Sequence, residues 1–274
     1  MFRFNNKHCS EFDMIWKSES RPFIPIAKKI TESLPEMDGE YDFSDVNLDN
    51  RLHYENRIFS GIISVKSDSI MALQNQFSKI ANWIMCGYAP LIFDDMPTTV
   101  WTAKIENVDQ VLYALQKIGK ANLTFTVKPF SKFLYDSDYE IILDSEVMIG
   151  SDFLIGGLTY DFTANGNTNI TVKNYGDWYT KPIVTVTGTY GYVEIKADDT
   201  KHIRYFGGSS GNTVIFDFEK NQVSKNGAFD NIHSLGSYWD FPAGDNAIQI
   251  LTNGTANLHF YMMYNFKYGA VIEC

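Results

Sequence analysis

From residue 162 onward apolar and polar side chains alternate with a period of two, and that alternation confines this half of the chain to β-structure. Val193, Ile195 and Ala197 alternate with Glu194 and Lys196; Val214, Phe216 and Phe218 with Asp217 and Glu219; Leu258, Phe260, Met262 and Tyr264 with His259, Tyr261 and Met263. Turn-forming residues punctuate the runs at Gly188, Gly207 to Gly211, Asn226-Gly227, Pro242 to Gly244 and Asn253-Gly254. Many short strands between such turns predict an all-β antiparallel sandwich of jelly-roll or galectin-like type.

The first half reads differently. Ile70, Leu73, Phe77, Ile80 and Ile84 recur at helical spacing, with Met71, Ala81 and Trp83 widening the stripe. Ser67, Asp68 or Ser69 supplies the N-cap oxygen, and Gly87 is placed to end the helix in a left-handed conformation. Around this one main helix lie strands expected at Ile58 to Lys66, Pro90 to Phe93, Thr99 to Ile105 and Asn122 to Lys128. Residues Asp109 to Ile118 fit either a short helix or part of a hairpin. The expected class is therefore α+β in the first half, followed by an all-β second half.

Charge marks the junction. Residues 1–130 carry 14 basic and 16 acidic side chains, whereas the remainder carries 9 and 17. Much of that excess sits between Ser131 and Asp161, in Asp136, Asp138, Glu140, Asp144, Glu146, Asp152 and Asp161 against Lys132 alone. Three parts follow: a first domain at 1–130, an acidic connecting segment at 131–161 and a β-domain at 162–274. A formal charge of −10 argues against a protein that coats nucleic acid, which needs Lys and Arg to displace counterions from phosphates. No apolar run approaches the roughly 20 residues that cross a bilayer, and the N-terminus lacks the layout of a secretory signal, so the chain is expected in the cytosol until something else exports it.

Motifs for chemistry are missing. Cys9, Cys86 and Cys274 form no C-x-x-C pair, so neither a disulfide framework nor a zinc site is expected. There is no G-x-S-x-G elbow, the five histidines stand apart, and Asp94-Asp95 and Asp198-Asp199 are adjacent pairs without the spacing of an acid–base couple. Gly207 to Gly211 lacks the following Lys-Ser/Thr of a phosphate loop. No enzyme, cofactor or metal is expected. Recognition is carried instead by aromatic density: Tyr175, Trp178, Tyr179, Tyr238 and Trp239 fall near predicted turns, where they serve as glycan or partner contacts, or as core.

A set of short motifs adds a family resemblance. Arg21-Pro22-Phe23-Ile24-Pro25, Pro35 to Phe43, Trp83-Ile84, Pro90 to Asp95, Trp101 to Lys104 and Phe125 to Phe130 follow one another in the order of the distal tail proteins of long-tailed, non-contractile phages and prophages of Gram-positive bacteria. Asn174-Tyr175-Gly176, Pro182 to Val186, Phe216 to Glu219 and Phe241 to Ile248 resemble the C-terminal jelly roll of the same family. The chain departs from the pattern at Glu36-Met37, where the family often carries Gly-Arg. The resemblance implies a structural protein of the virion tail tip, assembled in the host cytoplasm. It implies a ring, usually hexameric, that joins the tail tube to tail-tip, fibre or receptor-binding proteins and leaves a channel for DNA in transit, with acidic side chains expected toward that channel. Arg21, Pro22 and Pro25 then suit a rigid arm laid on a neighbouring subunit, or equally a simple extended connector. Asp38, Gly39, Tyr41 and Asp42 form a tight acidic loop and complete the candidate subunit contacts. The alternative function is a carbohydrate-binding module that adsorbs to host wall polymer through the aromatics of the second half.

Overall fold

The computed structural model describes residues 1–36, 38–44, 51–66, 69–138 and 160–268. It divides into two units, Met1–Lys132 with Lys267 and Tyr268, and Phe133–Phe266. In the first unit the strands are β1 (Phe2–Phe4), β2 (Lys7–His8), β3 (Met14–Ser20), β4 (Thr31–Glu32), β5 (Tyr41–Asp42), β6 (Arg57–Val65), β7 (Ala89–Phe93), β8 (Met96–Ile105) and β9 (Lys120–Val127), while the division falls within β10 (Ser131–Phe133). An antiparallel sheet runs β2-β1-β7-β8-β9-β6-β3. Helix α1 (Ile70–Ile84) joins β6 to β7, and α2 (Val108–Ile118) joins β8 to β9.

The inward row of each strand explains the core. Phe2, Phe4, Trp16, Phe59, Phe93, Trp101 and Phe125 are buried on one face, and Ile80, Trp83 and Ile84 of α1 with Val111 and Leu115 of α2 close over it. Trp83 stacks on Phe12 at 4.5 Å between ring centroids, and its indole N–H donates to Phe4 O at 2.7 Å. That bond satisfies the one polar atom of an otherwise apolar anchor.

One alternative about the helices is resolved and one expectation is corrected. The stretch Asp109 to Ile118, which fits a helix or a hairpin, is helical, so the described residues hold two α-helices; exposed Tyr113 and Ile118 blur its apolar stripe, leaving Val111 and Leu115 to define it. Helix α1 is capped by Ser69, whose Oγ accepts from Ala72 N at 3.2 Å, yet it ends at Met85 and not through a left-handed Gly87. Ser67 and Asp68 lie outside the described residues, as do Met37, residues 139–159 of the acidic segment and Cys274. What remains of that segment is built into the fold: Phe133 is buried, its N–H donates to Tyr264 O at 3.0 Å, and Asp161 lies within a strand.

The second unit contains β11 (Tyr160–Asn174), β12 (Ile183–Tyr190), β13 (Val193–Lys196), β14 (His202–Tyr205), β15 (Ser209–Ser210), β16 (Val214–Asp217), β17 (Gln222–Lys225), β18 (Ala228–Phe229), β19 (Ser234–Gly236), β20 (Gly244–Tyr261) and β21 (Asn265–Phe266). One path runs β18-β17-β16-β12-β20-β13-β14-β19, with β11 against β20. It is a curled sheet: the two end strands, β18 and β19, are joined by the short turn Asn231–His233, pinned by Asp230 N–H to Val223 O (2.9 Å) and Phe206 N–H to His233 O (2.9 Å).

The curl originates at two sites read from the sequence as turns. Gly188 and Asn253-Gly254 lie inside strands β12 and β20. Strand β20 pairs with β13 through Gln249–Thr252 and with β12 through Thr255–Tyr261, so Asn253-Gly254 is the corner at which it changes neighbours. Asn253 Oδ1 accepts from Gly191 N–H (2.7 Å) and Tyr192 N–H (2.9 Å), holding the adjacent turn. A Cβ on Gly254 would lie 2.2 Å from Thr189 O, so only glycine fits. Gly211 has a left-handed φ of 73° but open space around it. Gly254→Ala is therefore expected to destabilise the second unit by about 3 kcal/mol, and Gly211→Ala by about 1 kcal/mol. Urea unfolding of both variants checks the order; equal losses would refute the corner's steric origin.

Candidate functional site

Between β3 and β6 the first unit sends out an arm whose described residues form no buried core of their own. Its outgoing and returning stretches pair through Lys28 N–H to His53 O (2.7 Å), Glu55 N–H to Ile26 O (2.9 Å) and the ladder Thr31↔Asp42, Glu32↔Tyr41. Phe23, Ile24, Ile26, Ile30, Leu34, Tyr41, Phe43 and Leu52 are all exposed, Ile26 at 68%. Scattered exposed apolar residues are ordinary, but a contiguous set on one excursion marks a contact surface.

Two arginines fix the root of this arm. Arg21 makes a bidentate pair with Asp95, Nη1 to Oδ1 at 2.9 Å and Nη2 to Oδ2, and its guanidinium lies 4.6 Å from the centroid of Phe93. The Arg21 hydrogen bond holds the Asp95 carboxyl below the usual carboxylate range. Arg57, 3% exposed, stacks on Trp101 at 4.7 Å and spends its N–H groups on backbone carbonyls. It donates to Pro129 O from Nε (2.9 Å) and Nη2 (2.6 Å), to Phe23 O (2.5 Å) and Pro22 O (3.3 Å) from Nη1, and to Lys267 O from Nη2. One side chain thereby joins the arm, the end of β9 and the returning chain. Lys267 Nζ sits 4.6 Å over Tyr54, which meets Phe130 edge-to-face.

The expected contact residues fall into two groups along the arm. Arg21, Pro22 and Pro25 form its root, where Pro25 is buried and Pro22 is exposed. Asp38, Gly39, Tyr41 and Asp42 gather at its far end and are exposed. Gly39 has φ of 91°, and Asp42 accepts from Ser44 N–H (2.9 Å) and Ser44 Oγ, bonds that lower its pKa. Arg57 was not singled out from the sequence, and Asp95 was weighed only with Asp94 as a carboxylate pair, not as the partner of Arg21. The signal for Arg57 was present: alternation in β6 sets it on the same face as Phe59 and Ile63.

Comparison with solved structures gives the fold. The chain superposes on the SPP1 Dit (gp 19.1) protein, described as a paradigm of the hub adsorption apparatus in phages that infect Gram-positive bacteria, with a TM-score of 0.63 over 96% of this chain and 98% of that one, at 11% identity. The chain shares the Dit fold. No protein-family model matches the sequence, and no curated protein matches it.

Within the second half of this Dit-like fold, the aromatic candidates separate by burial. Trp239 stacks on Phe241 at 5.8 Å and is buried, so it presents no face to a ligand. Tyr238 and Tyr175 pack against the core from its margin, and Trp178 and Tyr179 are half-buried and edge-to-face at 5.2 Å. A separate open concavity of about 350 Å³ is lined by Asp161, Phe162, Thr163, Thr185, Thr187, Asn257, Leu258 and His259, polar and apolar in about equal parts. His259 spans two carboxylates there, Nδ1 to Asp161 at 2.8 Å and Nε2 to Asp138 at 3.2 Å. Burial lowers its pKa, but the Asp161 and Asp138 hydrogen bonds outweigh that and raise it. Among the described residues no group of three or more His, Cys, Asp or Glu could hold a metal ion, and no helix is long and apolar enough to cross a membrane. Asp94 pairs with His8 (3.1 Å) while Asp95 pairs with Arg21, so the two adjacent carboxylates have separate partners.

Replacing Arg57 by Met removes five donors and leaves carbonyls unpaired, and the expected cost to the first unit is about 3–5 kcal/mol with faster proteolysis of residues 21–30. A loss under about 1 kcal/mol by denaturant unfolding would show that the clamp is dispensable. Because Asp95 is depressed in the folded state, its contribution is present above its unfolded pKa of about 4 and is lost as pH falls through the folded value. Asp95→Asn should thus lower stability near pH 6 and change it little near about pH 2; thermal melts at the two pH values test this.

Proposed function

We propose that this chain is the distal tail protein of a long-tailed, non-contractile phage or prophage, a non-enzymatic hub at the virion tail tip that is assembled in the host cytoplasm. In this reading the first units close into a ring, usually hexameric, between the tail tube and the tip, fibre or receptor-binding proteins. The second units are jelly-roll or galectin-like sandwiches. DNA passes through the ring without binding, and acidic side chains facing the channel keep its phosphates from adhering. The net charge of −10 is compatible with such a channel.

The observation that carries the reading is the exposed apolar arm on a chain with the Dit fold along its whole length. Head-to-tail rings need two different faces on each subunit. The arm is one. The outer edge of β3, the last strand of the first sheet, is unpaired among the described residues and supplies a second.

The arm's side chains support little of the folded unit, so Ile24→Ser with Ile26→Ser is expected to leave unfolding within about 0.5 kcal/mol of the parent while reducing the oligomer to monomer by light scattering. Gly39→Val, forced into a left-handed backbone, should weaken assembly through about 1–2 kcal/mol of local strain. A parent chain that stays monomeric at every concentration, alone and with tube and tip partners, would overturn the proposal. A second reading, adsorption to wall polymer, draws on the half-buried Trp178–Tyr179 pair and the mixed polar and apolar concavity beside His259. Binding of the full chain to isolated wall polymer, lost in Trp178→Ala, would favour it.

A further inference from the structure

The longest hairpin of the second unit leaves one strand edge open. Strand β11 pairs with β20 from Tyr160↔Phe260 to Asn174↔Gly244 and, among the described residues, with no other strand. An unpaired edge presents a row of N–H and C=O groups that accept another strand. The outward row of β11 is Asp161, Thr163, Asn165, Asn167, Asn169, Thr171 and Lys173, all exposed except half-buried Lys173. The row reads the same in both directions, save that acid and base exchange ends.

We propose that β11 is a self-complementary edge through which two copies of this chain pair antiparallel about a two-fold axis at Asn167. That register sets Asp161 against Lys173, Thr163 against Thr171 and Asn165 against Asn169, each twice, with Asn167 facing its own copy. Opposite charges and Thr–Thr pairs across antiparallel strands are stabilising. The core-side row agrees, placing Phe162 opposite Val172 and Ala164 opposite Ile170. Charge selects a second copy and this direction: parallel in-register pairing would oppose Asp161 to Asp161 and Lys173 to Lys173, which is repulsive.

The charged side chains at the two ends are available for it. Asp161 accepts from His259 yet keeps 66% of its side-chain surface open. Lys173 extends over Tyr175, its Nζ 4.5 Å from the ring centroid. The strand is not straight: Gly166, with φ of 82°, and the register break between Asn165 and Asn167 turn it back, and Tyr160 Oη donates to Lys173 O at 2.9 Å, so the arms 161–165 and 169–172 carry the ladder on either side of the axis. A dyad uses the edge once and closes, giving a pair of chains and not a fibre. It is a different symmetry operation from the rotation that would build a ring, and it stands without one.

Oxidative cross-linking of the full chain tests the register, with the parent chain and its own cysteines as background. Asn167→Cys should yield a disulfide dimer, whereas Asn165→Cys, which faces Asn169 of the other copy, should not exceed background. Adding Lys173→Asp to Asn167→Cys should lower the dimer yield about tenfold at low salt, and adding Asp161→Lys as well should restore it. Ile24→Ser with Ile26→Ser should leave the yield unchanged, separating this contact from the arm. Equal cross-linking at positions 165 and 167, none at either, indifference to Lys173→Asp, or failure of the double exchange to restore the dimer would each overturn the proposal.

Discussion

Burying a guanidinium obliges its surroundings to supply acceptors in a fixed fork, and in the first unit that obligation falls on the backbone. Arg57 is served by carbonyls of Pro22, Phe23, Pro129 and Lys267. Carbonyls move only with the chain that bears them, so this cation sets the path of three separate segments at once. Two of them lie beside prolines, whose fixed φ limits the alternatives further. The arm can extend without a core because its root is held by Arg57 and by the Arg21–Asp95 pair. Its apolar side chains are thereby freed from any duty in folding.

In the second unit the controlling constraint is steric. An 18-residue strand cannot stay flat between partners on both sides without a place to change direction. Gly254 and Gly188 provide it, since their missing side chains let β20 and β12 pass at distances no Cβ tolerates. The corner there carries β20 from β13 to β12, and the sheet curls until β18 and β19 are linked by one short turn. Sequence alone presents Asn253-Gly254 as a hairpin turn, because Asn-Gly ordinarily signals left-handed turn positions, whereas here Gly254 is not left-handed and is required by the close approach of Thr189 O.

That ambiguity shows what was legible. Period-two alternation located the strands at Val193–Lys196 and Val214–Asp217 within a residue or two, and helical spacing located α1, because burial imposes both patterns directly on the side chains. Helix α2 was obscured by Tyr113 and Ile118, which are apolar but exposed. At the candidate site, Asp38, Gly39, Tyr41 and Asp42 are expected as contacts from turn chemistry and motif order, and as to contact the structure shows only that they are exposed. The Arg57 clamp and the pairing of Asp95 with Arg21 were missed because these partners lie 72 and 74 positions apart in the chain. A long-range carbonyl leaves no mark on local composition. Burial of Trp239 was likewise invisible, since an aromatic beside a turn serves equally as core or as contact.

The two units thus expose themselves to partners by opposite means. The arm offers apolar side chains that no core of its own could bury, a surface whose association is driven by area and is indifferent to direction. The β11 edge offers hydrogen-bonding groups and a neutral Thr/Asn row with charge only at its ends. Such an edge gains little from area and much from register, because a slip of one position would turn each arm's polar row toward the core side. In the proposed assembly the two surfaces separate strength from direction: adhesion falls to the arm, and alignment to the strand. On that proposal the information for assembly is encoded in which edges are left open and in which order their side chains run.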